Sequence, residues 1–259
     1  MGAVLGVFNS NLSVSEFVLA GQEEAVPIRQ VMGNSVYKIG YQLGGARFPT
    51  GEIKGLMRPL RDVYLHAIFR MQQEAQQLGA HAVIGVRLAE NRKHASLWTP
   101  KNVIQVKATG TAVALYGEDV PEKPALSGLS GQEFYMLRHT GYTPVGLVFG
   151  QSVYYQLTQW SSVSPTPPGV SALNWARVNL NTERVDYTQA VAKARYLAMK
   201  RLETEANYLG AEGVVGISVK TRRALLGNNL LVEFMALGTA IAAHGSLYCA
   251  AAHSVSLAG

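Results

Sequence analysis

A thirteen-residue pattern that occurs twice constrains this chain more than any other feature. Residues 74–86 read EAQQLGAHAVIGV and residues 205–217 read EANYLGAEGVVGI, identical at seven of thirteen positions. Each copy follows a segment of helical periodicity. Each precedes a strand-like segment containing Gly-Thr-Ala, namely Gly110-Thr111-Ala112 and Gly238-Thr239-Ala240. A repeat on this scale implies two copies of one structural unit.

The openings of the two units align as well. Leu12–Gly40 matches Leu129–Leu157 without a gap at an offset of 117, sharing Ser13/Ser130, Glu16/Glu133, Pro27/Pro144 and Gly33/Gly150. By the thirteen-residue pattern the offset has grown to 131, so the second unit carries an insertion of 131 − 117 = 14 residues within Gln159–Asn181. Pro165, Pro167 and Pro168 exclude regular structure there, and Trp160 and Trp175 stand at its two ends. The expected organisation is a first domain over 1–116, a linker over 117–128 and a second domain over 129–259. The second domain includes the proline-rich insertion (159–181) and a small-residue tail (242–259).

Within each unit the periodicities give the same series. Ser13 and Ser130 are placed to cap a short helix, because a Ser hydroxyl accepts from a free first-turn amide. The apolar stretch after each proline, interrupted at Gly33 or Gly150, reads as two short strands joined by a turn or bulge. Leu60, Tyr64, Ala67, Ile68, Met71, Ala75 and Leu78 fall on one face of a helix, as do Tyr187, Val191, Ala194, Ala198, Leu202, Ala206 and Leu209. Gly79 and Gly210 end these helices. Strands over Ala82–Arg87 and Val214–Lys220 follow, with Gly85 or Gly216 admitting a close neighbour. After a basic connection each unit closes with a long strand. In Asn102–Leu115, Gln105, Lys107, Thr109 and Thr111 alternate with Ile104, Val106 and Ala108, giving one wet face. Leu230–Ile241 has only Glu233 and Thr239 at the matching polar positions, so that strand should bury both faces, against its twin or another chain. The fold class expected is α+β: two units, each one amphipathic helix packed on a small antiparallel sheet.

The LGA-x-x-V-[IV]-G pattern after an amphipathic helix, followed by a strand carrying Gly-Thr-Ala, resembles the YbjQ-like family, which carries a heavy-metal-binding label. The resemblance covers both units and marks the chain as a tandem. It implies a fold similar to a dodecin subunit and assembly into rings, typically pentameric. It supplies no established activity.

Composition narrows the classes. Apolar residues make up 48% and charged residues 15%, suited to a well-buried globular chain. The single cysteine, Cys249, excludes an internal disulfide and fits a reducing, cytoplasmic setting. The start, MGAVLGVFNSNLS, has neither the basic n-region of a secretory signal nor a myristoylation pattern. No run of about 18 apolar residues points to a membrane span. The net charge of +6 is spread among acids, which argues against nucleic acid.

Metal binding needs several donors at one point. His66, His81, His94, His139, His244 and His253 share no i, i+3 or i+4 spacing, and Cys249 with His253 gives only two ligands. No cofactor is therefore expected, with a divalent metal possible where a ring gathers copies of one donor. Phosphate-loop, nucleophile-elbow and H-E-x-x-H patterns are lacking, so an enzyme is not expected. Glu74 and Glu205 match across the repeat, and ion pairs to Arg70 and Arg201 four residues earlier are the ordinary account of them. Trp98, Trp160 and Trp175 occupy non-equivalent positions. The basic connections, with Arg87, Arg92 and Lys93 in one unit and Lys220, Arg222 and Arg223 in the other, are candidate contacts for an anionic partner. The expectation is a non-enzymatic, ring-forming scaffold or binding module with a protein or anionic partner. The alternative is a metal- or small-ligand-binding protein with sites at subunit interfaces.

Overall fold

The computed structural model describes residues 9–10, 12–16, 25–38, 49–92, 103–157, 184–226 and 229–243. The expected insertion and nearly all of the tail lie outside the described residues, as do Lys93, the three tryptophans, Cys249, His94, His244 and His253.

Eleven elements are described: β1 (Ala25–Lys38), β2 (Gly51–Glu52), α1 (Lys54–Gln77), β3 (Ala82–Arg92), β4 (Val103–Leu115), β5 (Ala125–Leu126), α2 (Gly131–His139), β6 (Tyr142–Gln156), α3 (Val185–Tyr208), β7 (Gly213–Leu226) and β8 (Asn229–Ala243). They form two four-stranded sheets, ordered β1-β4-β3-β5 and β2-β6-β8-β7. All pairings are antiparallel except β3 with β5. The fold is α+β, one long helix per sheet.

Both helices end as their glycines require, Gly79 and Gly210 having φ of 69° and 66°. Both serine caps form. The Ser130 hydroxyl accepts from the Glu133 amide while Glu133 reaches back to the Ser130 amide, and Ser13 with Glu16 repeats this reciprocal arrangement.

Gly33 and Gly150 do not break their strands, contrary to the expected two short strands. β1 and β6 run unbroken, and their register shifts fall earlier, at Pro27/Arg29 and Pro144/Gly146. The glycines mark where each helix crosses its strand. A Cβ on Gly33 would stand 1.9 Å from the Ala67 carbonyl oxygen, and one on Gly150 1.8 Å from that of Ala198. Helix backbone occupies the space a side chain would need.

The two units are not separate bodies joined by a plain link. β2, which precedes the first unit's own helix, pairs with Tyr154 and Tyr155 of β6 in the second sheet. The end of the segment expected as a linker forms β5, parallel to Ala82 and Val83. Beyond it, the Leu129 carbonyl accepts from the Gly85 amide at 2.8 Å, and the Leu129 side chain lies where a Cβ on Gly216 would be. One leucine thus occupies the close approaches that both equivalent glycines permit.

Four layers result: first sheet, α1, second sheet, α3. α1 lies on β1 and β4, and its other side meets Phe149, Val153, Leu231, Met235 and Leu237 of the second sheet, all in one core. The opposite face of the second sheet holds α3 through Val148, Val232, Phe234 and Ala236. β8 is accordingly buried from Leu230 through Ala242 on both faces, one covered by its own α3 and the other by α1 of the twin unit. The first sheet keeps a wet face, with Gln105 and Lys107 exposed. Thr111 departs from that expectation: it is buried, with its hydroxyl 3.1 Å from that of Ser10.

Candidate functional site: the junction between the units

β3 runs past the second sheet, and four of the six basic residues named from sequence gather around two carboxylates there. Arg92 donates to both oxygens of Glu233 at 2.9 and 2.6 Å and through Nε to Glu90. The Tyr64 hydroxyl donates to the other Glu90 oxygen at 2.6 Å, and Arg222 reaches Glu90 at 3.0 Å. The Arg92, Glu90 and Glu233 side chains are 8%, 4% and 10% exposed, so this is a buried ion cluster. Burial works against the Arg92 charge, but Glu233 and Glu90 more than offset it and hold the guanidinium above its ordinary value. Burial, then the Glu90 carboxylate, push the Tyr64 phenol up and keep it a donor.

The described basic residues therefore lie within strands rather than in the connections expected to carry them. Arg87 and Arg92 belong to β3, and Lys220, Arg222 and Arg223 to β7; Lys93 lies outside the described residues. Lys220 donates to the Leu88 carbonyl at 2.6 Å across the junction. Arg222, 41% exposed, and Arg223 open onto a pocket of about 510 Å³ whose other walls include Asn91 and Leu231. Arg87 points away, to the side of the Glu16 and Glu133 carboxylates. Burial tends to raise Glu16, but hydrogen bonds from Ser13 and Gly131 and the Arg87 charge bring it below its ordinary value. Hydrogen bonds from Ser130 do the same for Glu133, aided by Arg87.

Glu74 and Glu205 are not paired with Arg70 and Arg201. Glu74 accepts the Met32 amide at 2.8 Å, and Glu205 accepts the equivalent Phe149 amide at 2.8 Å. Arg70 donates to the Asn34 carbonyl, and Arg201 donates to the equivalent Gln151 carbonyl at 2.7 Å while holding Glu52. β1 is an edge strand, and β6 is covered on its outer side only at β2. The repeated Arg-x-x-x-Glu thus satisfies backbone groups that an uncovered sheet edge leaves open. The i, i+4 spacing marked a geometry toward the strand that recurs in both units, where a pair within the helix was expected. Sequence gave no signal for Glu90 and Tyr64 in the junction cluster.

The described donors do not fit a heavy-metal site. Among the described residues no three His, Cys, Asp or Glu side chains converge on one point. Glu90 and Glu233 already surround a guanidinium. His81 and His66 are apart, His81 on the Glu118 carbonyl at 3.0 Å and His66 on the Tyr37 hydroxyl at 2.5 Å. Among the described residues no helix is long and apolar enough to cross a membrane.

The fold and junction define a covalent tandem of helix-on-sheet units sharing one core. The chain belongs to the YbjQ family, described as "Putative heavy-metal-binding", which matches residues 26–116 and 177–244. It is also 34% identical over 249 residues to an encapsulin nanocompartment protein of Mycobacterium tuberculosis, covering 92% of this chain and 87% of that one. A UPF0145 protein of Psychromonas ingrahamii is 44% identical over 55 residues, which is 21% of this chain and 50% of that protein.

Proposed function

We propose that this protein is a non-enzymatic, cytoplasmic scaffold that assembles into a ring of identical chains and holds a protein or anionic partner. The observation that carries this reading is the way its units associate. A helix of one unit covers the sheet of the next, and a relative aligned along nearly the whole chain is named for a nanocompartment. A unit that completes its core on a neighbour is suited to assembly. Five chains, the number the family resemblance implies, would have a mass of five times 27.9 kDa, about 140 kDa. Light scattering on the purified protein tests this: an assembly supports the scaffold, and a species of 27.9 kDa removes it.

The partner-facing residues on this reading are Arg222 and Arg223, beside the junction pocket, together with Arg87. Arg92 serves the junction itself. The double variant Arg222→Glu, Arg223→Glu should lose capture of an acidic peptide or anionic vesicle that the unaltered protein retains. Equal capture by both would rule out these two residues as the contact.

The family's description favours a second reading, in which a divalent metal or small ligand binds where chains meet. Calorimetric titration with divalent metals separates the two: stoichiometric heat supports the ligand reading, and no heat opposes it.

A further inference from the structure

We propose that copies of this chain join head to tail, repeating between chains the helix-on-sheet contact that joins the two units within one. The α3–β7 face of one copy seats on the wet face of the next copy's first sheet. This rests on the assembly reading above and specifies its seam.

The repeat lets each half of the internal contact be compared with its unoccupied twin. Within the chain, the receiving surface is the second sheet, where Phe149 is 5% and Val153 0% exposed beneath α1. Their equivalents on the first sheet, 117 positions earlier, are Met32 and Val36, which are 50% and 57% exposed. The inserting surface is α1 with β3, where Val86 and Leu88 are 2% and 6% exposed. Their equivalents on β7, 131 positions later, are Ile217 and Val219, at 43% and 51%. On α3, Val191 and Met199, the equivalents of the buried Leu60 and Ile68, line a groove of about 890 Å³.

Among the described residues, each chain therefore presents one uncovered receiving face and one uncovered inserting face, on opposite outer layers. The two belong to different surfaces, so the contact is heterologous, and repetition gives a ring or an open chain. Apolar side chains exposed in register with a buried apolar contact mark an interaction surface. The occupant we assign is a second copy, because the internal contact already shows how the same two kinds of surface fit. The seam is more polar than the internal contact: Tyr64, Met235 and Leu237 have Arg195, Lys107 and Thr109 as their equivalents. Arg92 and Glu233 have Arg223 and Gln105 as their equivalents, so no buried ion pair forms across it.

Two variants test the assignment, Val36→Glu on the receiving face and Val219→Glu on the inserting face. Both positions are solvent-exposed in the single chain, and far-UV circular dichroism should be unchanged. Each variant alone should run at 27.9 kDa, because every seam needs both faces. Mixed one to one, they should form a single species of two times 27.9 kDa, about 56 kDa, since each retains the face the other lacks. If a variant fails to fold, Met32→Lys and Ile217→Glu form the second pair. An unaltered protein that assembles while the variants keep its mass overturns the seam and leaves the scaffold reading standing. Variants that become monomeric but do not pair on mixing overturn the head-to-tail geometry. A monomeric unaltered protein overturns both.

Discussion

The Arg92 guanidinium of the first unit meets the Glu233 carboxylate of the second in a two-pronged contact of 2.9 and 2.6 Å, between residues 141 apart in sequence. Glu90 and Tyr64 complete it. Ion pairs this buried gain little net stability, because desolvation offsets much of their attraction, but they are costly to halve. Glu233→Ala should therefore lower stability by about 3–5 kcal/mol, leaving Arg92 with Glu90 as its remaining buried carboxylate. The double variant Arg92→Met, Glu233→Met should recover most of that loss. Urea unfolding of the three proteins checks it, and equal losses in the single and double variants would contradict it.

Gly33→Ala and Gly150→Ala should each destabilise strongly, because the added carbon meets helix backbone rather than a side chain that could turn aside. With the nearest atoms at 1.9 and 1.8 Å, helix and strand must separate. Overpacking of this kind costs about 1–3 kcal/mol or more. Thermal unfolding should show a lower midpoint for both, and a midpoint unchanged in either would refute the crossing as described.

Ser130→Ala removes the hydroxyl that accepts the Glu133 amide and should cost about 1 kcal/mol. In a chain of this size the change reads as a drop of about 2–4 °C in the melting midpoint. Ser13→Ala should behave alike, since Glu16 also reaches across to the Gly131 amide at 2.9 Å and links the two caps.

Burial lifts the Glu205 carboxyl above its ordinary value of 4.5, and the Phe149 amide and Arg61 offset this only in part. The folded state therefore binds this proton more tightly than the unfolded state. The stability it contributes is complete below the ordinary value and is lost as pH rises through the raised one. Glu205→Gln keeps an acceptor for Phe149 and does not titrate. Compared with it, the unaltered protein should lose stability as pH rises above 4.5, the ordinary value. Urea midpoints across that rise give the comparison, and an unaltered protein that gained on Glu205→Gln as pH rose would contradict it.

The long helices, their glycine stops, the serine caps and the doubly buried last strand were all legible, because each depends on local periodicity or on the composition of a single strand. Gly33 was misread because a glycine within an apolar run has the same appearance whether the strand bends or a helix crosses it. Arg70 and Glu74 stand at the spacing of a helical ion pair, and only the exposed edge of β1 shows that both serve the strand. Arg92 was expected in a basic connection facing an anionic partner. Its partners Glu90 and Glu233 come from neighbouring and distant strands, and the pairing depends on how the two sheets approach. β2 gave no signal, since two residues carry no periodicity and their partners lie in the other unit.

The core shared around α1 has a consequence for synthesis. Leu231, Met235 and Leu237, which close one side of that helix, belong to the last described strand. When Leu115 has left the ribosome, the first unit has all four of its longer elements, yet 243 − 115 = 128 residues must follow before Ala243 completes β8. At about 5–20 residues per second, the second side of α1 waits on the order of ten seconds for its cover. During that interval the nascent first unit presents Tyr64, Ile68, Val86 and Leu88 to whatever surrounds it, including the finished second sheets of neighbouring chains. Newly made chains are thus open to exchanging partners with one another before each has closed on itself.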